Sequence, residues 1–123
     1  MQRLTPREIE LMTVLWERGP STVAEVRDAL GDSSAYTTIL TLLRVLEEKG
    51  HVSREVEGRA HRYRALIDRE EASSSAIDRV LGQFFRGSPE RLLTQMVSDR
   101  ELDDATLRRL RALLDERLEE DQQ

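Results

Sequence analysis

The chain of 123 residues contains no cysteine. That excludes disulfides, thiolate metal sites and thiol redox chemistry. It suits the reducing interior of a cell, and a cytoplasmic location is expected. Aromatic residues are scarce, at 4%, so most of any core must be aliphatic. No run approaches the roughly 20 apolar residues of a membrane helix, and the N-terminus has no apolar stretch of the signal-peptide kind. There is no glycine-rich phosphate loop and no Ser-His-Asp arrangement. The two histidines, His51 and His61, are too few to ligate a metal. Glu8 and Glu10, two residues apart, cannot share a helix face as a catalytic pair. Neither an enzyme nor a metal or cofactor site is expected.

What is present is a modest apolar content of 38% and a charged content of 35%. This supports one domain, or a small domain with an appendage, and chains of this size often complete their core by oligomerising. The net charge of -5 is unevenly placed. Residues 1–67 hold ten basic and ten acidic side chains, so the acidic excess lies entirely in residues 68–123. Between Arg44 and Arg64 six basic side chains face four acidic ones, with His51 and His61 in addition. Local charge, not the total, sets the field at a binding face.

Helix signals punctuate the first half. Thr5-Pro6-Arg7-Glu8 is a capping box with proline at the first helical position. Leu4 and Ile9 are spaced for a hydrophobic staple, and Ile9, Met12, Leu15 and Trp16 form the predicted apolar face. Gly19-Pro20 ends this helix. A second capping box, Thr22-Val23-Ala24-Glu25, opens a short helix with Val23, Val26, Ala29 and Leu30 inward and Gly31 as its stop. Asp32-Ser33-Ser34 reads as a turn, with Ser33 or Ser34 capping a third helix.

The third helix is the most informative segment. At 100° per residue, Ala35, Ile39, Leu42, Leu43 and Leu46 cluster on one side, while Thr37, Thr41, Arg44 and Glu48 lie opposite and Thr38 and Val45 flank them. Threonine is a poor helix former, and a face selected only for stability favours Glu, Lys or Ala. Short polar side chains at its centre suit close approach to another surface. After Gly50, residues 51–56 and 61–66 alternate around a Glu57-Gly58-Arg59-Ala60 turn and predict a two-stranded hairpin. Val52, Val56, Tyr63 and Ala65 are expected to face the helices, with Arg54, Arg62 and Arg64 outward or toward the tip. Three helices followed by a hairpin make a winged helix-turn-helix.

The second half reads as three helices. Asp68 or the acidic pair after it begins one, with Ile77, Val80, Leu81, Phe84 and Phe85 as its apolar face, and Phe85-Arg86-Gly87 ends it. Ser88-Pro89-Glu90 begins the next, with Leu92, Leu93, Met96 and Val97. Leu102-Asp103 opens the last, with Leu107, Leu110, Leu114 and Leu118 and with Leu113 beside them. Such stripes are poorly buried within one chain and well buried against a second copy. The expected architecture is therefore mainly α with a small β-hairpin: a winged-helix DNA-binding domain over residues 1–67, then a helical dimerisation domain over 68–123.

DNA binding would place the third helix in the major groove. Thr37, Thr38 and Thr41 would meet base edges or thymine methyls, and Arg44 a guanine or a phosphate. Tyr36 either bonds a phosphate or packs beneath the helix. Ser33, Ser34 and Thr22 sit at helix starts suited to phosphate. Arg54, Arg59, Arg62 and Arg64, with His61, would contact phosphate or minor groove from the wing; the histidines either face each other or both touch DNA. The competing class is a winged-helix protein-interaction adaptor without sequence-specific DNA binding.

These segments resemble the penicillinase-repressor family of bacterial winged-helix regulators. The resemblance rests on Leu4-Thr5-Pro6-Arg7-Glu8, Val14-Leu15-Trp16, Ala35-Tyr36-Thr37-Thr38, Leu46-Glu47-Glu48-Lys49-Gly50 and the wing ending His61-Arg62-Tyr63, and it spans nearly the whole chain. It implies a homodimer that binds a palindromic double-stranded operator and blocks transcription, with wing contacts near Arg59 to Arg62. Copper-responsive relatives use a C-terminal cysteine cluster, which this chain lacks. Antibiotic-responsive relatives are inactivated when a membrane-bound sensor metalloprotease cuts an Asn-Phe bond. The matching place here is Gln95-Met96, which marks a different protease preference or a different signal, or serves only helix packing.

Overall fold

Threonine caps and proline starts set the first elements. In the computed structural model, which describes residues 3–31 and 33–122, the Thr5 hydroxyl accepts from the Glu8 N–H and the Glu8 carboxylate from the Thr5 N–H. This opens α1 (Pro6–Arg18). After β1 (Ser21–Thr22) the same reciprocal box, Thr22 with Glu25, opens α2 (Val23–Leu30). Gly31 ends α2 in the left-handed region at φ 67°, where a side chain would be strained. The Asp32 part of the expected turn lies outside the described residues.

Next come α3 (Tyr36–Glu48), β2 (Val52–Glu57), β3 (Ala60–Ala65), α4 (Arg69–Phe84), α5 (Pro89–Asp99) and α6 (Asp104–Glu120). Neither Ser33 nor Ser34 caps α3. Ala35 is its N-cap, with no side-chain bond, and the Ser34 hydroxyl instead accepts from Arg7 Nη2 at 2.7 Å. Ala35 is therefore exposed instead of joining the buried stripe.

The hairpin is part of a three-stranded antiparallel sheet in the order β1-β3-β2. The two-residue β1 pairs Ser21 with Tyr63 and Thr22 with Arg62. It is too short to show a period in the sequence. Gly58 takes φ 62° at the first of two loop positions between Glu57 and Ala60, as a tight hairpin turn requires.

The core of the winged unit joins Leu11, Met12, Val14 and Leu15 of α1, Val23 and Val26 of α2, Ile39, Leu43 and Leu46 of α3, and Val52 and Tyr63 of the sheet. Ile9, expected inside, is 45% exposed, and Leu11 and Val14 take its place. Ala29 is exposed as well. Val56 was expected to face the helices but is 73% exposed, because β2 runs past the helical layer toward the wing tip. Trp16 donates from Nε1 to the Ile67 carbonyl at 2.9 Å, tying α1 to the chain beyond β3.

Glu8 is buried in this core and meets Lys49 Nζ at 2.8 and 3.0 Å. The start of α1 is thereby pinned to the residue that ends α3. Burial pushes the Glu8 carboxyl up, but the Lys49 bond and the two Thr5 bonds outweigh it and hold it below its ordinary value.

Two compact units divide after Asp78, inside α4. In the second, Ser88 caps α5 and Asp103 caps α6 by accepting backbone N–H bonds. The Thr106 backbone bond, then its side chain, draws the Asp103 carboxyl below its ordinary range. No described residue of α5 or α6 is buried.

Candidate nucleic-acid interface

Helix α3 turns Ile39, Leu43 and Leu46 into the core, with Leu40 and Leu42 packed at its edge. That orientation leaves Tyr36, Thr37, Thr38, Thr41 and Arg44 exposed. Tyr36 is the first helical residue and is 46% exposed, so it does not pack beneath the helix. The Thr41 hydroxyl donates to the Thr37 carbonyl at 2.9 Å. Its one proton is thereby committed, leaving the methyl group and acceptor lone pairs for another surface. The hydroxyls of Thr37 and Thr38 carry no such bond among the described residues.

The candidate DNA-contacting arginines of α3 and the wing divide into two groups. Arg44 on α3 and Arg59 at the hairpin tip make no hydrogen bond or ion pair among the described residues. The other three are engaged within the fold. Arg64 reaches Ser53 Oγ at 3.1 Å and Glu55 at 3.7 Å. Arg54 pairs with Glu47 of α3 at 3.4 Å. Arg62 meets Glu57, Glu25 and the Pro20 carbonyl. The Glu57 bond, opposed by desolvation and reinforced by both carboxylates, raises the Arg62 pKa. Glu25 is held below its ordinary range by the Thr22 backbone and side-chain bonds and then by Arg62 and Arg18.

Register corrects the expected grouping of the arginines. Directly opposed residues of an antiparallel pair share a face. Arg54 is opposite Tyr63, so it lies on the helix-facing side of the sheet. Arg62 and Arg64, opposite Glu55 and Ser53, lie on the other side.

The histidines do not face each other. His51 precedes β2 and is buried, its N–H donating to Leu46 and its carbonyl accepting from Leu66. His61 is opposite Val56 near the tip. Its Nδ1 and the hydroxyl of buried Tyr63 are enclosed without a hydrogen-bond partner among the described residues. Among the described residues no group of three or more metal-binding side chains could hold an ion, and no helix is long and apolar enough to cross a membrane.

Arg7 is a residue the sequence reading missed. Its contact to Ser34 spans 27 positions and brings a cation to the start of α3; local pattern carries no signal for such a distant pair.

The residues assigned to dimerisation form no core within one chain. Val80, Leu81 and Phe85 are half-buried; Ile77, Phe84, Leu107, Leu110, Leu114 and Leu118 are exposed, with Phe84 at 75%. Gln95 and Met96 lie in the middle of α5, both exposed.

The chain is similar to known proteins in sequence and in fold. The sequence profile of the penicillinase repressor family matches residues 4–116. A transcriptional regulator of Mycobacterium tuberculosis, BlaI, is 35% identical over 120 residues, covering 94% of this chain and 87% of that protein. The penicillinase repressor of Bacillus licheniformis is 25% identical over 116 residues, covering 93% and 91%. Among solved structures, a transcriptional regulator from Thermotoga maritima superposes with a TM-score of 0.54 at 20% identity, over 94% of this chain and 79% of that one, a likeness of fold. With its profile match running from the first capping box into α6, the chain belongs to the penicillinase repressor family.

Proposed function

We propose that two copies of this chain pair through α4–α6 and repress transcription by reading a palindromic operator. Each α3 would enter a major groove, with half-sites roughly 34 Å apart. The observation that carries this reading is the exposed stripe of Thr37, Thr38, Thr41 and Arg44, backed by a fully buried Ile39-Leu43-Leu46 face. Threonines are short enough to bring the helix axis close to base edges. Arg44 and Arg59, without a hydrogen bond or ion pair among the described residues, are the cations best supported as phosphate or base contacts. Arg54, Arg62, Arg64 and His61 form the second rank, because internal bonds or partial burial already occupy them. The winged domain is assigned to residues 1–67 and the pairing helices to 68–123.

A mobility-shift titration with the DNA upstream of the chain's own gene tests this directly. A retarded complex that resists nonspecific competitor and weakens steeply with salt is expected. No shift on that DNA or on fragments selected from the genome favours the adaptor reading.

Release by a membrane-bound sensor metalloprotease is the finer part of the proposal. Its support is the exposure of Gln95 and Met96 in α5, although a helical bond must unwind before a protease can cut it. Co-expression with a neighbouring membrane metalloprotease, followed by mass measurement, should yield a fragment ending at Gln95. An intact chain under inducing conditions removes this part and leaves DNA binding untouched.

A further inference from the structure

We infer that Arg62 is a positioning residue of the DNA-binding surface, one that sets the wing against the helix-turn-helix and does not itself take a phosphate. This rests on the DNA-binding reading above. Arg62 stands on β3, opposite Glu55 of β2 and Thr22 of β1. Its Nε meets Glu57 at the end of β2, and its Nη1 lies 3.0 Å from both Glu25 of α2 and the carbonyl of Pro20 before β1. One guanidinium therefore gathers acceptors from the wing, from α2 and from the connection between α1 and β1.

Each partner is itself anchored. Glu25 belongs to the capping box of α2 and pairs with Arg18 of α1 at 3.0 Å. Glu57 is the last residue of β2, where the hairpin turns. A two-stranded hairpin has little stability of its own, and β1 adds only two residues of pairing. Beside that short ladder and the core packing of Val52 and Tyr63, the Arg62 network is the polar tie of the hairpin to α2, the helix packed against α3.

Charge points the same way. Two carboxylates already face the Arg62 cation, so a phosphate brought to it would meet their repulsion. Arg44 and Arg59 pair with no carboxylate among the described residues. The chemistry also selects arginine: a planar fork reaches its acceptors from separate nitrogens in fixed directions, whereas an ammonium is a single point charge on a flexible stem.

The test is a set of fluorescence-anisotropy titrations of the full chain on an operator duplex over a range of salt concentrations. Arg62→Gln and Arg62→Lys should each weaken binding, by roughly tenfold for a dimer with two loosened wings, while the slope of log K against log salt stays as in the wild type. Glu57→Gln should also weaken binding, although it removes a negative charge from the DNA-facing unit. A direct phosphate contact gives the opposite set: a slope reduced by about 1.8 per dimer in Arg62→Gln, near-normal binding by Arg62→Lys and tighter binding by Glu57→Gln. Any of these, or unchanged affinity in Arg62→Gln, overturns the inference. Thermal unfolding followed by Trp16 fluorescence establishes that each variant is folded at the assay temperature, and Glu57, an exposed side chain, keeps one arm independent of folding losses. If the wild type binds no duplex at all, the DNA-binding reading fails and this inference falls with it.

Discussion

Replacing Lys49 by methionine should destabilise the winged unit far more than an ordinary surface change. Glu8 is 1% exposed and takes two contacts from Lys49 Nζ, at 2.8 and 3.0 Å. Methionine keeps the aliphatic stem but strands the carboxylate. Removing one member of a buried pair costs about 3–5 kcal/mol. The lower end, about 3 kcal/mol, applies because the Lys49 side chain keeps 21% exposure and because Glu8 retains its Thr5 bonds. With a urea m-value of about 2 kcal/mol/M, the midpoint should fall by about 1.5 M. Trp16, the sole tryptophan and part of this unit, reports the transition.

The double change Glu8→Met with Lys49→Met should recover most of that loss, leaving about 1 kcal/mol for the missing capping-box group. The pH dependence has a defined sign. The folded Glu8 carboxyl titrates below 4.5, so the pair's contribution is present above about pH 4.5 and disappears as pH falls through the folded value. In Lys49→Met the Lys49 bond no longer lowers that value while burial still raises it, so protonating Glu8 costs the variant little and its deficit against the wild type should narrow as pH falls. A loss under about 1 kcal/mol, an additive double change, or a deficit that stays constant into acid would refute this account of the pair.

Three further outcomes are expected. Thr41→Val, which keeps the methyl that the intrahelical bond leaves outward, should preserve base preference, whereas Thr38→Val should change discrimination at one position per half-site by about 1–3 kcal/mol, read by selection of bound sequences. Arg44→Gln and Arg59→Gln should each reduce the salt slope of binding by about 1.8 per dimer, measured by anisotropy. Leu114→Arg, on the exposed stripe of α6, should shift sedimentation from dimer to monomer and weaken operator binding, with the Trp16 unfolding transition of the winged unit retained.

Sequence alone determined the start of nearly every helix, because caps and prolines act within four residues: Thr5, Thr22, Ser88 and Asp103 all cap where their chemistry requires. It also determined the threonine face of α3, since a 100° period places Thr37, Thr41 and Arg44 together whatever packs on the other side. Contacts between distant segments were decided only in the tertiary structure. The Glu8–Lys49 pair, the Arg7–Ser34 bond and the short β1 leave no local period to read. The same is true of which wing arginines are occupied: Arg62 and Arg59 look alike as letters, but strand register and the approach of α2 engage the first and leave the second open. A side chain's direction follows from its own backbone, whereas its partners follow from where the rest of the chain comes to lie.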